Sequence, residues 1–381
     1  MRLIHTADWH LGQTLRGYRR DPEHTAVLEQ LVSLTEAHQP DAFLIAGDVF
    51  DTSNPTPEAQ QLYYHTLGQL RRAAPHMAII VTAGNHDAAG RLAAPRTLLA
   101  ELNVHVIGYA RSADHLVAIR DARGVLLGHV LAVSFPTAPC LPAGHAKLAD
   151  AVAALYTELA EPQRHRWEGL PLVVTGHLHV AGGTETGGSE RSLLIGGESA
   201  VPTSVFPAEA SYVALGHLHK AQQVGAGPVY FSGSLIPLSA SEADYTHGVN
   251  LVSLRSGSVS VERLPLKRPR GFIRLPLLTL PETLSRLRTL EGEPFVQVSL
   301  RRQGLPADFR EQLDAVPGVR LVELKLEETE AMRVARQEAP QDRVADLNPE
   351  HFFALAFEKR HGRKPEPAHN EAFAALLRKL A

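Results

Sequence analysis

Five times along this chain a short apolar run stops at a residue able to ligate a metal ion. The clusters are Asp8-Trp9-His10, Gly47-Asp48-Val49-Phe50-Asp51, Gly84-Asn85-His86-Asp87, Gly176-His177-Leu178-His179 and Gly216-His217-Leu218-His219. Taken singly each is weak: a Gly-Asp after a strand is ordinarily a turn, and a lone strand-end histidine ordinarily caps or hydrogen-bonds. Packing favours apolar residues at such positions, so the repetition calls for another cause. Ligands collect at the carboxyl ends of strands in α/β sheets. The feature therefore constrains the fold, because strands far apart in sequence have to deliver their ends to one place.

The spacing of the remaining residues is consistent with that demand. Apolar runs at 2–7, 42–46 and 78–83 alternate with helical patterns at 24–38 and 56–74, the second closed by Pro75, which predicts βα units and a largely parallel sheet. From 104 to 265 short β-rich runs dominate (104–107, 125–135, 172–175, 212–215, 229–232, 249–254 and 259–264), interrupted by one helix at 147–159. The expected fold is α/β: a two-sheet β-sandwich flanked by helices (αββα) over residues 1–265. Lys267-Arg268-Pro269-Arg270-Gly271 reads as a connector, since two breakers and three cations resist burial and helix propagation. A strand–helix–strand–helix–strand unit is expected over 271–326, with elements at 272–275, 282–290, 295–300, 306–315 and 320–326. Residues 327–347 are charged and poor in large apolar side chains and read as a linker.

Two helical segments are predicted over 348–381. Asn348 with Pro349 is a helix-start signal; Phe353 and Phe357 lie four apart beside Phe352 and Leu355. Phe373, Leu376, Leu377 and Leu380 form a second stripe. These stripes have to be buried, either on the chain itself or on a partner protein.

Composition removes several classes. The 381 residues carry 38 Lys and Arg against 41 Asp and Glu, a net charge of −3, so contact with nucleic acid has to come from a local patch. The single cysteine, Cys140, excludes an internal disulfide framework and thiolate metal sites. No apolar stretch approaches the roughly 20 residues that span a bilayer. The chain enters a strand pattern at its first residues, so no membrane association and a cytoplasmic location are expected. Histidine is in excess, with 20 residues.

In extended chain, residues two apart face the same side, so Asp8 with His10, and His217 with His219, can each converge on one site. The donors mix carboxylate, amide oxygen and imidazole, a set that suits Mn²⁺ or Fe²⁺ and accepts Zn²⁺. Their number exceeds the need of one ion and fits two. Two divalent ions bring four positive charges against two negative ones from Asp8 and Asp48. The surplus would attract a phosphate and favour an ionised water, as in two-metal phosphoester hydrolysis with ions about 4 Å apart. Asn85 and His86 are adjacent and cannot both point at one metal in extended chain. His5 and His129 read as core or supporting residues.

In this order, Asp-x-His, Gly-Asp-x-x-Asp, Gly-Asn-His-Asp and Gly-His-x-His resemble the calcineurin-like metallophosphoesterase superfamily. Within it, four stretches are similar to the SbcD-type subunits of DNA double-strand-break nucleases: His5-Thr6-Ala7-Asp8-Trp9-His10-Leu11-Gly12, Gly47-Asp48-Val49-Phe50-Asp51, Ala214-Leu215-Gly216-His217-Leu218-His219-Lys220 and Phe231-Ser232-Gly233-Ser234. The resemblance covers the core through about residue 265 and the remainder by layout only. It implies that Asp8, His10 and His219 bind one ion and Asn85, His177 and His217 the other. Asp48 would bridge the two, and His86 would be the catalytic acid. Mn²⁺ is the expected metal, with Mg²⁺ or Fe²⁺ as alternatives.

By the same resemblance the chain would be a DNA exonuclease and endonuclease acting on double-stranded ends and hairpins in recombination and repair. It would form a homodimer within a heterotetramer with an SbcC-type coiled-coil ATPase. Residues 271–326 would be a capping domain that contacts DNA, and 348–381 the partner-binding helices. Archaeal and eukaryotic relatives carry a second active-site histidine where this chain has Asp51, which leaves Asp51 as a supporting carboxylate. Asp87 would shape its turn or orient His86. His179 falls outside the implied ligand set. Arg16, Tyr18, Arg19, Arg20 and residues 267–274 are candidate phosphate contacts. The alternative is a phosphatase or another phosphodiesterase of the superfamily. Against a monoesterase stands Thr52, where protein phosphatases of this type hold the phosphate with an arginine.

Overall fold

The computed structural model describes residues 1–111, 115–186, 200–255 and 257–328, together with 353, 354, 357, 364–367, 369, 370, 372 and 373 of the tail. Met1–Glu327 form one compact unit and Glu328–Ala381 a second.

Two six-stranded sheets build the core. In spatial order the first runs Ser258–Pro265, Gly248–Arg255, Arg2–Thr6, Ala42–Ala46, Ala78–Thr82 and Val104–Ile107. The last four strands are parallel and the first two antiparallel. The second runs Gln222–Val224, Val229–Phe231, Tyr212–Gly216, Leu172–His177, Leu126–Leu131 and Leu116–Arg120, parallel in its centre and antiparallel at both edges.

Strand alternation sorts the side chains. Leu3, Leu44, Ile80, Val130, Val173, Ala214 and Val252 meet between the sheets in one buried cluster. Ile4, Phe43, Ile45 and Ile79 face outward onto the helices Asp21–His38 and Pro57–Ala73, through Val27, Leu31, Tyr63 and Leu67. The outer face of the second sheet is covered by Leu148–Ala160, through Val152, Leu155 and Tyr156. The layers are therefore helix, sheet, sheet, helix, as the sequence predicts. Burying both faces of each sheet requires near-continuous apolar strands, and that is what 42–46 and 78–82 supply.

Three features depart from the sequence pattern. Leu116–Arg120 pairs antiparallel with Leu126–Leu131 through the turn at Asp121 and Gly124, so the run read as 125–135 is one arm of a hairpin and ends at Leu131. Gln222–Val224 is a short edge strand, too polar for its period to show. Thr14–Leu15 and Tyr18–Arg19 form a miniature hairpin beside the first cluster; it is two residues per arm.

The strand–helix–strand–helix–strand unit forms a three-stranded parallel sheet, Phe272–Leu278, Phe295–Leu300 and Arg320–Leu326, with helices Leu280–Arg288 and Phe309–Asp314. The first helix starts two residues earlier than its apolar pattern suggests, because Thr279 and Glu282 close a capping box. This sheet has its own core around Val296, Val298 and Leu313. Phe272, Phe295 and Val322 pack on Ala240 and Ala243 of the two-sheet core.

Phe295 lies under two guanidinium groups, Arg20 at 4.7 Å and Arg270 at 5.5 Å from its ring centroid. Both arginines pair with buried Glu23. Arg20 is 2% exposed and also donates to the Pro237 carbonyl. It is a structural cation here, which corrects its reading as a phosphate contact: a guanidinium is the side chain that can cross such a junction while staying fully hydrogen-bonded. Arg270 is likewise committed to Glu23 and Glu293.

In the tail, 353, 354 and 357 are helical, as are 367, 369, 370, 372 and 373. Phe353 stacks on Phe373 with centroids 4.4 Å apart, and Phe357 meets His369 at 4.8 Å. Part of the first apolar stripe thus packs against the second segment through ring contacts. Most of the 327–347 linker, Asn348 and Pro349, Phe352 and Leu355, and Leu376, Leu377 and Leu380 lie outside the described residues.

Candidate metal centre

The loop after Arg2–Thr6 and the loop after Ala42–Ala46 continue side by side beyond their strands. Asp8 N–H donates to the Gly47 carbonyl at 3.1 Å, His10 N–H to that of Asp48 at 3.0 Å, and Leu11 N–H to that of Val49 at 3.0 Å. Trp9 is fully buried and donates its indole N–H to Thr6 Oγ1 at 3.0 Å, which pins the loop and leaves Asp8 and His10 on the other side. Asp8, His10, Asp48 and His217 take positive φ angles of 52°, 47°, 49° and 103°, half of the eight non-glycine residues that do so among those described. Such strain concentrates where function demands a particular direction of the side chain.

Close approach explains two glycines. A Cβ on Gly84 would lie 2.1 Å from Asp48 Oδ1, and one on Gly47 would lie 2.1 Å from His177 Nδ1. The glycines that open the second and third clusters are therefore required by packing of the site itself.

All eight residues singled out from the sequence converge. Asp8, His10 and His219 place ligand atoms within 4.8 Å of one another, as do Asp8, Asp48 and His177, and as do His10, Asp48 and His86. Asn85 Oδ1 lies 3.0 Å from His177 Nε2 and 3.1 Å from His217 Nδ1. His217 N–H donates to both oxygens of Asp8, at 3.0 and 3.2 Å, and His177 Nδ1 faces the Ala46 carbonyl at 2.9 Å, so the second sheet's loops are tied to those of the first. Asp48 Oδ2 sits between His177 Nε2 at 3.2 Å and His10 Nε2 at 3.7 Å, within reach of an imidazole from each sheet.

Four imidazoles share one device. Nδ1 of His10 faces Asp51 Oδ1 at 3.2 Å, that of His86 the Asp51 carbonyl at 2.7 Å, that of His177 the Ala46 carbonyl, and that of His219 Glu242 Oε1 at 2.9 Å. With Nδ1 carrying the hydrogen, Nε2 carries the lone pair that an ion can take. Nε2 of His10 is buried without a hydrogen-bond partner among the described residues. That orphaned nitrogen, beside a convergent set of carboxylate, amide and imidazole donors, fits divalent ions.

The electrostatics point the same way. Burial drives the Asp8 carboxyl up to about 6, against the pull of His177, His219 and His10. Burial would raise Asp48 too, but the charge and hydrogen bond of His177, with His10 and His86, outweigh it and hold it below the carboxylate range. Burial opposes charging of His177, yet Asp48 and Asp8 lift it to about 9. His217 is pushed down to about 3 by burial and by His177. A site that holds a proton between Asp48 and His177 is one where a cation would sit.

Asp87 accepts from the N–H groups of Val49, Phe50 and Gly84 at 3.1, 2.9 and 2.9 Å, so it shapes the turn. His179 pairs with Glu185 at 3.0 Å, and its ring stands 6.4 Å from that of His217. His5 bonds Tyr212 Oη at 2.8 Å between the sheets. The sequence pattern misses Glu242: it is fully buried in a single 3₁₀ turn, Ala240–Glu242, where no motif or period marks it.

A double sheet with potential ligands converging from its strand ends is the architecture of a metal-dependent phosphoesterase, and residues 1–221 match the calcineurin-like phosphoesterase family. Residues 268–361 match the family described as type 5 capsule protein repressor C-terminal domain. The chain is 42% identical over 387 residues to the SbcD subunit of the nuclease SbcCD from Rhodobacter capsulatus, covering 94% of each. It is 34% identical over 313 residues to its counterpart from Escherichia coli K12 (79% of this chain, 77% of that one) and 36% over 274 residues to that from Bacillus subtilis (68% and 67%). The chain belongs to the SbcD family of calcineurin-like phosphoesterases. Among the described residues no helix is long and apolar enough to cross a membrane.

Proposed function

We propose that the chain is the nuclease subunit of an SbcCD-type complex, hydrolysing DNA phosphodiesters at a two-ion centre. The observation that carries this is the convergence of the ligand-type atoms of Asp8, His10, Asp48, Asn85, His177, His217 and His219, with His86 beside His10 and Asp48. Asp8, His10 and His219 would hold one ion and Asn85, His177 and His217 the other, with Asp48 available to both; the oxygen-and-imidazole set suits Mn²⁺. When bound, such ions neutralise the phosphate and acidify a water.

The chain's own residues do the rest. His86 is fixed by its N–H to Asp48 Oδ1 at 2.8 Å and by Nδ1 to the Asp51 carbonyl. As the imidazolium, with its Nδ1–H held by the Asp51 carbonyl, it would give the proton on Nε2 to the departing sugar oxygen. Asp51 replaces a second histidine by bracing the first two, through its side chain to His10 and its carbonyl to His86.

Residues 1–265 act as the nuclease core and 271–326 as a cap over duplex DNA, with 327–347 as linker. Exposed Arg16 and Arg19 remain candidate phosphate contacts beside that cap. Residues 348–381 hold the ATPase partner. Exposed Tyr64, Leu98, Leu102 and Tyr109 support a homodimer contact on the first hundred or so residues. The test compares linear duplex DNA and bis-p-nitrophenyl phosphate with a phosphomonoester. Preference for the diesters is expected, and preference for the monoester would return the chain to the phosphatases. Deleting 348–381 should abolish co-purification with the ATPase and spare metal-dependent cleavage of short DNA.

A further inference from the structure

The two halves of the centre are braced differently. His177 rests its Nδ1 on a backbone carbonyl, whereas His10 and His219, assigned to the same ion with Asp8, rest theirs on the carboxylates Asp51 and Glu242. A carboxylate behind an imidazole fixes the tautomer and raises the basicity of the ligand nitrogen.

Glu242 is held with care. It is fully buried; Oε2 accepts from Leu238 N–H at 3.0 Å and Ser234 Oγ at 3.2 Å, while Oε1 faces His219. Ser234 N–H in turn donates to the His219 carbonyl at 3.1 Å. A Cβ on Gly233, which takes a φ of +71°, would stand 2.6 Å from that same oxygen. The segment Phe231–Ser234 and the turn Ala240–Glu242 thus grip His219 from the backbone and the ring together.

The same turn faces the other way as well. Ala240 and Ala243, either side of Glu242 in sequence, carry Phe272, Phe295 and Val322 of the three-stranded sheet. Asp244, next along, pairs with Arg274 of that sheet. The Leu238 carbonyl accepts from the Gln13 side chain at 3.0 Å, and Gln13 N–H donates to the His10 carbonyl at 3.1 Å. Both carboxylate-braced imidazoles are therefore connected, by a short series of contacts, to the seat of the three-stranded sheet.

We propose that Glu242 is a positioning residue that aims His219 at the ion shared with Asp8 and His10, and that its turn couples this ion alone to the seating of the three-stranded sheet. This rests on the two-ion reading above. Three consequences separate it from a merely structural role. Glu242→Ala should weaken binding of one Mn²⁺ by about 10- to 100-fold while the second ion keeps its affinity. Glu242→Gln, which keeps shape and an accepting oxygen, should lie between this variant and the parent. Phe295→Ala should weaken the same ion by a smaller factor, whereas Val298→Ala, buried within the sheet's own core, should leave both ions unaltered.

The experiment is Mn²⁺ titration of the full chain by calorimetry and by electron paramagnetic resonance, whose spin-coupled pair signal gives way to a single-ion signal when one site empties. The Nδ1–H resonance of His219 in the metal-free protein should be protected in the parent and lost in Glu242→Ala. Unchanged affinities in Glu242→Ala, or equal loss of both ions in a folded variant, would overturn the positioning role. Equal effects of Phe295→Ala and Val298→Ala would overturn the coupling. A parent chain that binds fewer than two ions would overturn both this proposal and the reading beneath it.

Discussion

The two sheets contribute unlike halves to one centre. The first supplies every oxygen donor (Asp8, Asp48 and Asn85) together with His10 and His86; the second supplies imidazoles only, His177, His217 and His219. Neither set suffices. The first alone would bury two carboxylates without compensation, and the second alone would bury three neutral rings with nothing to bind. What joins them is the apolar layer between the sheets, where transfer of surface from water, worth roughly 25 cal/mol per Å², is indifferent to the chemistry at the strand ends. The stability of the sandwich and the activity of the centre are thus separable, and variants can be chosen to break one and spare the other.

The largest effect belongs to the residue of the first half that also touches the second. Asp48→Ala removes the partner of His177 and His10 and the acceptor of His86 N–H. Both ions should be lost in elemental analysis, with nuclease activity reduced by on the order of 10⁴-fold or more. Retention of two ions would mean that the halves do not meet at Asp48. Next comes His86→Asn, which spares the ligands. Two ions should remain, and cleavage should fall by about 10²- to 10⁴-fold, the usual contribution of a positioned proton donor. Near-normal turnover would remove His86 from the chemistry.

A pH series sharpens the same comparison at intermediate size. Without an ion, Asp48 and Asp8 hold the His177 proton up to about 9 against burial, and burial lifts the Asp8 carboxyl to about 6. An ion has to displace those protons, so its affinity should rise roughly tenfold per pH unit between 6 and 9 and more steeply below 6. Calorimetry in buffers of different ionisation enthalpy would register the released protons, and a flat profile would contradict the Asp48–His177 proton. Smallest is the effect of Tyr212→Phe, far from the ions. Tyr212 Oη meets His5 of the first sheet and Asn250 Nδ2, at 2.8 and 3.4 Å. Its loss strands a buried ring nitrogen and should cost about 1–3 kcal/mol in denaturant unfolding while leaving ion binding intact.

Much of this was legible in the chain because it is local. The strands 42–46 and 78–82 are buried on both faces and so are apolar throughout; the helix Pro57–Ala73 carries a proline start and a Thr56 cap. The strand-end clusters stand out since a polar residue there defies packing. Gln222–Val224 is hidden because a three-residue edge strand of two glutamines and one valine carries little apolar signal, whereas Leu116–Arg120 is apolar enough and is defined by its pairing with Leu126–Leu131 across the turn. Arg20 reads as a surface cation because sequence gives charge and not depth. It is the junction with Phe295 that buries it.

The sequence by itself thus determined the layered α/β architecture, the identity of the ligand-type residues and their order along the chain, since each follows from short-range periodicity and residue chemistry. Tertiary structure alone decided which nitrogen each histidine presents, that Glu242 stands behind His219, and that Arg20 braces a junction. These depend on contacts between residues as far apart as His217 and Asp8, 209 positions in sequence, and only the closing of the two sheets brings such pairs within hydrogen-bonding range.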